Sequence, residues 1–245
     1  MQVSVLQIFK YLLYDWHRFN HNKNMWIKEN FSQYDIVKRQ VECTNDPLDI
    51  GNNRMSEVTF TIFDLETTGF FPKVGDEVIS IGAIKINETH IQFPESFYEV
   101  ITPMKMPSST VCDLTGLSHS QIKSGNPFPY SFLQFCEFSK RTVLVAHPAS
   151  FDVNFLKEIS RKWGLPNYTP TYVDSYEIAT FLYPKKKNSL DELIQFFGIE
   201  EKTRHHALND AFMTAEIFKN LIHELESRNI YTLNEFWKAQ KTAKK

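Results

Sequence analysis

Cysteine is scarce: Cys43, Cys112 and Cys136 are the three in 245 residues, odd in number, far apart and without a CxxC spacing. That excludes a disulfide framework and a cysteine zinc site, and it points to a reducing, cytoplasmic compartment. Long apolar runs are missing too; nothing approaches the roughly 18 uninterrupted apolar residues of a membrane span. The apolar start MQVSVLQIFKYLLYDW has no basic region, is interrupted by Gln7, Lys10 and Asp15, and is followed by no small-residue cleavage site. Export is therefore not expected. Nor is either charge in surplus: 27 basic against 29 acidic residues leave a net charge of −2. Proteins that hold long nucleic acid through its phosphates carry a basic excess, so the bulk balance argues against a strong grip on a long duplex. What is present is a core-forming composition, 42% hydrophobic and 23% charged, which excludes a disordered chain. The length corresponds to between one and two domains.

Val5, Leu6, Phe9, Leu12, Leu13, Trp16 and Phe19 recur at three- and four-residue steps and predict an amphipathic helix. A weaker helical pattern follows through Ile27, Phe31, Tyr34 and Val37, and TNDPLDIGNN then has the composition of a linker. From Val58 the runs VTFTIF, EVISIGAIKI and FYEVI predict three strands in an antiparallel start. TVLVA and TYV are later strands, alternating with helices marked by Asp152, Phe155, Leu156, Ile159 and Trp163 and by Leu208, Ala211, Phe212, Ala215, Phe218 and Leu221. Strands first and strand–helix alternation afterwards imply an α/β fold, a mixed sheet flanked by helices. TLNE opens a last helix as a capping box, ahead of the basic tail KAQKTAKK. The division is a helical extension with linker over 1–56, a catalytic-type domain over 57–226, and a C-terminal helix with tail over 227–245.

In TIFDLETTGF, residues two apart on a strand share a face, so Asp64 and Glu66 project together. Two adjacent carboxylates repel and are costly to bury unpaired; either they face water at a strand end or they bind a cation. In LVAHPASFDVNFLKE, Asp152 lies on the buried stripe of its helix, as a partner of the helix terminus or as a ligand. In RHHALNDAFMTAEIF, Asp210 lies in the first turns of a helix with His205 five residues earlier at its mouth; His206 reads as the bystander. Four carboxylates are hard oxygen donors suited to magnesium or manganese. Together they can hold two cations about 3.5–4 Å apart for in-line phosphoryl displacement, with a neutral imidazole taking a proton from water.

FDLETTG, VAHPASFD and HHALND resemble, in order and spacing, the three motifs of the DnaQ-like DEDDh exonucleases, the family that includes the proofreading epsilon subunit of bacterial DNA polymerase III. The similarity runs from about Val58 to Leu225. It implies an RNase H-like fold and removal of nucleotides from DNA 3′ ends, single-stranded or frayed. It implies that Asp64, Glu66, Asp152 and Asp210 bind two Mg²⁺ or Mn²⁺ ions and that His205 is the general base. By the same resemblance the Thr67 backbone N–H approaches the 3′-hydroxyl, and Phe70 either meets the terminal base or is an ordinary loop aromatic. Thr115, in DLTGLS, is either a substrate neighbour or a helix or turn cap. Pro148 departs from the family, which usually has asparagine there; proline removes a donor, which bears on substrate preference more than on activity.

Lys185, Lys186 and Lys187 read first as a solvated loop and second as a phosphate contact. The N-terminal amphipathic helix is expected to dock on the chain's own catalytic domain, the alternative being a polymerase or other protein partner. The function classes weighed are a DNA 3′→5′ exonuclease in proofreading or repair, a 3′→5′ exoribonuclease, and a non-catalytic nucleic-acid- or polymerase-binding subunit. Five retained catalytic-type residues favour an enzyme.

Overall fold

The computed structural model describes residues 4–44, 48–87 and 95–243. Asn45–Pro47 of the expected linker and the last two lysines of the basic tail lie outside them. Three helices come first: α1 (Val5–Lys10), α2 (Trp16–Glu29) and α3 (Phe31–Thr44), with a π-helical turn, Tyr11–Asp15, joining the first two. The sheet strands are β1 (Phe60–Thr67), β2 (Val78–Ile86), β3 (Ser96–Thr102), β4 (Asn126–Pro127), β5 (Val143–Ala146) and β6 (Tyr172–Asp174). Between and after them run α4 (Ser109–Thr115), α5 (His119–Lys123), α6 (Phe128–Phe138), α7 (Ala149–Trp163), α8 (Ser175–Leu182), α9 (Leu190–Phe197), α10 (Ala207–Ser227) and α11 (Leu233–Ala243).

The six strands lie in the order β4-β3-β2-β1-β5-β6. β1, β2 and β3 are antiparallel neighbours, whereas β5 and β6 run parallel to β1, which makes the sheet mixed. Period-two alternation divides its residues between two cores. Phe63, Leu65, Ile81 and Ala83 face α3, α6 and α7, where Phe132, Phe135, Leu156 and Trp163 are buried. Phe60, Ile62 and Ile84 face α8 to α11, where Ile178, Leu193, Phe218 and Phe236 are buried. Asp64 and Glu66 continue the second face beyond the point where apolar residues stop.

The C-terminal segment belongs to this second core. Leu233 and Phe236 are buried in it, and the expected capping box forms, with the Glu235 N–H donating to Thr232 Oγ1 at 3.2 Å and the Thr232 N–H to Glu235 Oε2 at 3.0 Å. The described part of the linker packs alongside, the Asn234 N–H donating to the Gly51 carbonyl.

The N-terminal helices dock on the catalytic domain, as expected, but only through part of their apolar stripe. Phe19, Trp26 and Ile27 do pack on the first core, where Trp26 meets Trp163 edge-on at 5.3 Å. The Tyr34 hydroxyl donates to the Trp163 carbonyl at 2.6 Å and Lys23 Nζ to the Lys162 carbonyl at 2.9 Å. Upstream, Val5, Leu6, Phe9, Leu12, Leu13 and Trp16 are exposed, while Tyr11 is buried instead. The physical reason is the π turn. It widens one turn of helix and brings Tyr11, in place of the stripe residues, to the buried side; the stripe itself docks only from Phe19 onward.

Candidate active site

The site lies at the C-terminal end of β1, where a bulge between Glu66 and Thr67 ends the regular pairing with β2. Asp64 is half-buried and Glu66 buried, on one face of the strand. The first turn of α7 brings Asp152 to this point and the first turn of α10 brings Asp210; each is only 4% exposed. His205 is exposed, with a left-handed backbone at φ 58° that only a few non-glycine types adopt. That turn folds its N–H back onto Asp210 Oδ2 at 3.1 Å. Ligand-type atoms of Glu66, His205 and Asp210 lie within 4.8 Å of one another.

Glycine makes this approach geometrically feasible. In the sheet register Asp64 on β1 stands opposite Gly82 on β2, and Gly82 opposite Tyr98 on β3. A Cβ on Gly82 would lie 2.1 Å from the Leu208 backbone nitrogen and 2.3 Å from the Ala207 carbonyl carbon. The missing side chain thus lets the start of α10 rest directly on the sheet beside Asp64. Tyr98 closes the row from the far side, its ring stacked on His206 at 4.7 Å. His206 is therefore the N-cap residue of α10 and a packing partner.

The start of α7 is held by Asp174. Pro148 occupies its N-cap position and supplies no capping side chain. Asp174 Oδ2 instead accepts the Ser150 N–H at 2.9 Å, while its Oδ1 accepts the Tyr176 N–H at 3.0 Å and caps α8. One carboxylate thereby satisfies orphan amides of two helices, one of which carries Asp152. His147, just before Pro148, is fixed by Ser175 Oγ at 2.9 Å and the Asn188 carbonyl at 2.7 Å. Burial pulls the His147 imidazole below its usual value, which keeps the ring neutral.

Burial, then the charges of Asp152, Asp210 and Glu66, drives the Asp64 carboxyl well above the usual carboxylate range. Burial and the neighbouring Asp210 push Glu66 to about 7. Asp152 is raised by burial, against the pull of backbone amides at Asp152 and Leu65. One cation of the chain offsets this repulsion: Arg204 Nη1 lies 2.5 Å from Asp210 Oδ2, and its Nε 2.6 Å from Asp191 Oδ1. Asp210 Oδ1, by contrast, is buried with no hydrogen-bond partner. A buried, unpartnered carboxylate oxygen amid hard donors is the environment a divalent cation satisfies, so these residues fit such an ion.

Thr67 follows the bulge, its hydroxyl donating to the Gly69 carbonyl at 2.7 Å. Phe70 is 54% exposed and 6.2 Å from Phe151, whose ring sits at the start of α7. Thr115 is buried, its hydroxyl donating to the Val111 carbonyl at 2.9 Å within α4. Lys185–Lys187 lie in an exposed loop, with Lys186 Nζ over the Phe196 ring. Sequence reasoning passed over Gly82, Tyr98, Asp174 and Arg204. A glycine inside an apolar strand signals a close backbone approach and was a legible clue; the other three have no pattern of their own.

Among the described residues no helix is long and apolar enough to cross a membrane. The RNase T exonuclease model matches residues 61–218. The PolC-type DNA polymerase III of Caldanaerobacter subterraneus subsp. tengcongensis is 37% identical over 191 residues, 77% of this chain and 13% of that protein. That of Streptococcus pyogenes serotype M18 is 30% identical over 235 residues, 94% of this chain and 16% of that protein. The chain thus spans only a small fraction of these curated relatives. Among solved structures, the nuclease domain of 3′hExo, a DEDDh family member bound to rAMP, superposes with a TM-score of 0.63 at 17% identity, covering 73% of this chain and 96% of that one. Exonuclease X, in complex with 5′ overhanging duplex DNA, gives 0.56 at 19% identity, covering 74% and 99%. These share the RNase H-like fold, a mixed sheet flanked by helices. With the exonuclease model covering well over half of its residues and all three motifs meeting at one strand end, the chain belongs to the DnaQ-like exonuclease family of nucleases.

Proposed function

We propose that this protein is a 3′→5′ exonuclease that hydrolyses nucleotides from DNA 3′ ends. The observation that carries the reading is the gathering of Glu66, His205 and Asp210 within 4.8 Å of one another at the end of β1, with Asp64 feeling the charges of Asp152, Asp210 and Glu66 and a buried Asp210 oxygen lacking any hydrogen-bond partner. In this reading the four carboxylates hold a pair of Mg²⁺ or Mn²⁺ ions. When bound, such ions supply charge stabilisation for the attacking and leaving oxygens of an in-line displacement. His205, exposed at the mouth, takes the proton of the attacking water on a ring nitrogen. Asp210 holds the His205 backbone through the 3.1 Å hydrogen bond, and so sets where the imidazole stands. The Thr67 N–H orients the terminal 3′-hydroxyl, and the exposed Phe70 ring stacks on the terminal base.

DNA is favoured as substrate because the curated relatives are DNA polymerases. The same relatives support a proofreading or repair role beside a polymerase. The exposed face of α1 and the π turn is where we place that contact. The domain division proposed is 1–56, 57–226 and 227–245, with Leu233 and Phe236 of the last segment packed into the second core.

The test is a time course with Mg²⁺ or Mn²⁺ on 5′-labelled single-stranded DNA, mispaired duplex and matching RNA, with Asp64→Ala as control. A descending ladder on DNA that Asp64→Ala abolishes is expected. A ladder on RNA alone would transfer the assignment to RNA trimming, and none on any substrate would favour a binding subunit.

A further inference from the structure

We infer that Arg204 is a built-in counter-cation of the carboxylate cluster, which a divalent ion must displace from Asp210 for the site to load. This rests on the reading of the four carboxylates as metal ligands. Its guanidinium bridges two helix starts: Nη1 lies 2.5 Å from Asp210 Oδ2 on α10, and Nε lies 2.6 Å from Asp191 Oδ1 on α9. The Arg204 side chain is 21% exposed and that of Asp210 6%, so the inner contact is largely withdrawn from water. The outer one is anchored at the rim, where Asp191 is 66% exposed. The same Asp210 oxygen accepts the His205 N–H, while the other oxygen has no partner.

A guanidinium is permanently charged and donates without accepting, so it neutralises a carboxylate yet contributes nothing to a metal's coordination shell. An ion bound to Asp210 at about 2.1 Å would place its charge within a few ångströms of Nη1. At that separation, in a partly buried site, the two positive charges repel strongly. Asp210 offers Oδ2 to Arg204 and the unpartnered Oδ1 to an ion, but two cations this close repel, so loading loosens the guanidinium from Oδ2 and is in effect an exchange of cations. Asp191 keeps hold of Nε during the exchange, so the released guanidinium stays tethered at the mouth. The arrangement explains how the cluster is tolerated in the metal-free fold, and it sets a threshold of metal concentration for loading.

The experiment is calorimetric titration of the whole protein with Mn²⁺, alongside thermal unfolding in chelator and in Mn²⁺. Arg204→Gln is expected to bind Mn²⁺ about tenfold more tightly than the wild type, the factor equivalent to about 1.4 kcal/mol. It should also unfold at a lower temperature in chelator, so that its stabilisation by Mn²⁺ exceeds that of the wild type. Arg204→Lys, which keeps the charge, should bind close to the wild-type value. Asp191→Asn, which loosens the anchor, should move affinity in the same direction as Arg204→Gln by a smaller factor. Unchanged or weaker Mn²⁺ binding by Arg204→Gln, with the wild type binding normally, would overturn the exchange alone. Absence of Mn²⁺ binding by the wild type would overturn the metal reading and the exchange together.

Discussion

Replacing Gly82 with alanine adds one methyl group at the centre of the fold, opposite Asp64. The new Cβ would stand 2.1 Å from the Leu208 nitrogen and 2.3 Å from the Ala207 carbonyl carbon, where ordinary contacts begin at 3.4 Å. Both neighbours are backbone, so no side chain can swing aside; the start of α10 must retreat from the sheet by more than an ångström. Asp210 and His205 ride on that turn. A displacement of this size in a catalytic constellation costs about 10²-fold in rate. Overpacking costs about 1–3 kcal/mol, offset in part by the 0.5–1 kcal/mol that alanine gains over glycine in a strand. For a chain of this length that corresponds to a fall in Tm of a few degrees, at about 2–4 °C per kcal/mol. Steady-state hydrolysis of a labelled oligonucleotide, with circular dichroism melting in parallel, measures both. Wild-type turnover by Gly82→Ala would refute the claim that the close approach of α10 to β2 assembles the site.

His205→Ala should lose hydrolysis about 10²- to 10⁴-fold, the range for a general base. His206→Ala, which forfeits the stack on Tyr98, should keep turnover and lose about 0.5–1.5 kcal/mol in a denaturant melt; equal loss of rate in the two would refute the base assignment. Glu77, buried against the Met104 and Lys105 amides, is raised by burial to about 7. Between its ordinary value of 4.5 and about 7 the folded state holds a proton that the unfolded chain has released. Its contribution to stability therefore falls as pH rises through that window. Glu77→Gln should flatten that part of the stability–pH curve measured in chelator. Leu6→Asp and Leu13→Asp, on the exposed N-terminal face, should leave Tm and hydrolysis of free DNA unchanged; a fall of several degrees would mean that the face is packed intramolecularly.

The local periodicities were legible because each one maps onto a single face. Period two put Asp64 and Glu66 together, and the stripe through Asp152 and Ile159 turned that carboxylate inward, where it lies. The antiparallel start and the parallel β5 and β6 followed from the order of strands and helices. What escaped was made by tertiary contact. Arg204 gains meaning only once α9 and α10 bring Asp191 and Asp210 to either end of its guanidinium. Asp174 caps its own helix through Tyr176 and also holds Ser150, 24 residues away in sequence, a pairing that no local pattern announces. The N-terminal stripe reads as continuous because hydrophobic spacing does not reveal a π turn; Tyr11 within that turn is buried, and the stripe docks only from Phe19 onward.

The most direct test of the active-site assignment is anomalous scattering from crystals grown with Mn²⁺. Two peaks about 3.5–4 Å apart, bounded by Asp64, Glu66, Asp152 and Asp210 and absent in Asp64→Ala, are the predicted result. No peak within the carboxylate cluster at saturating Mn²⁺ would contradict it.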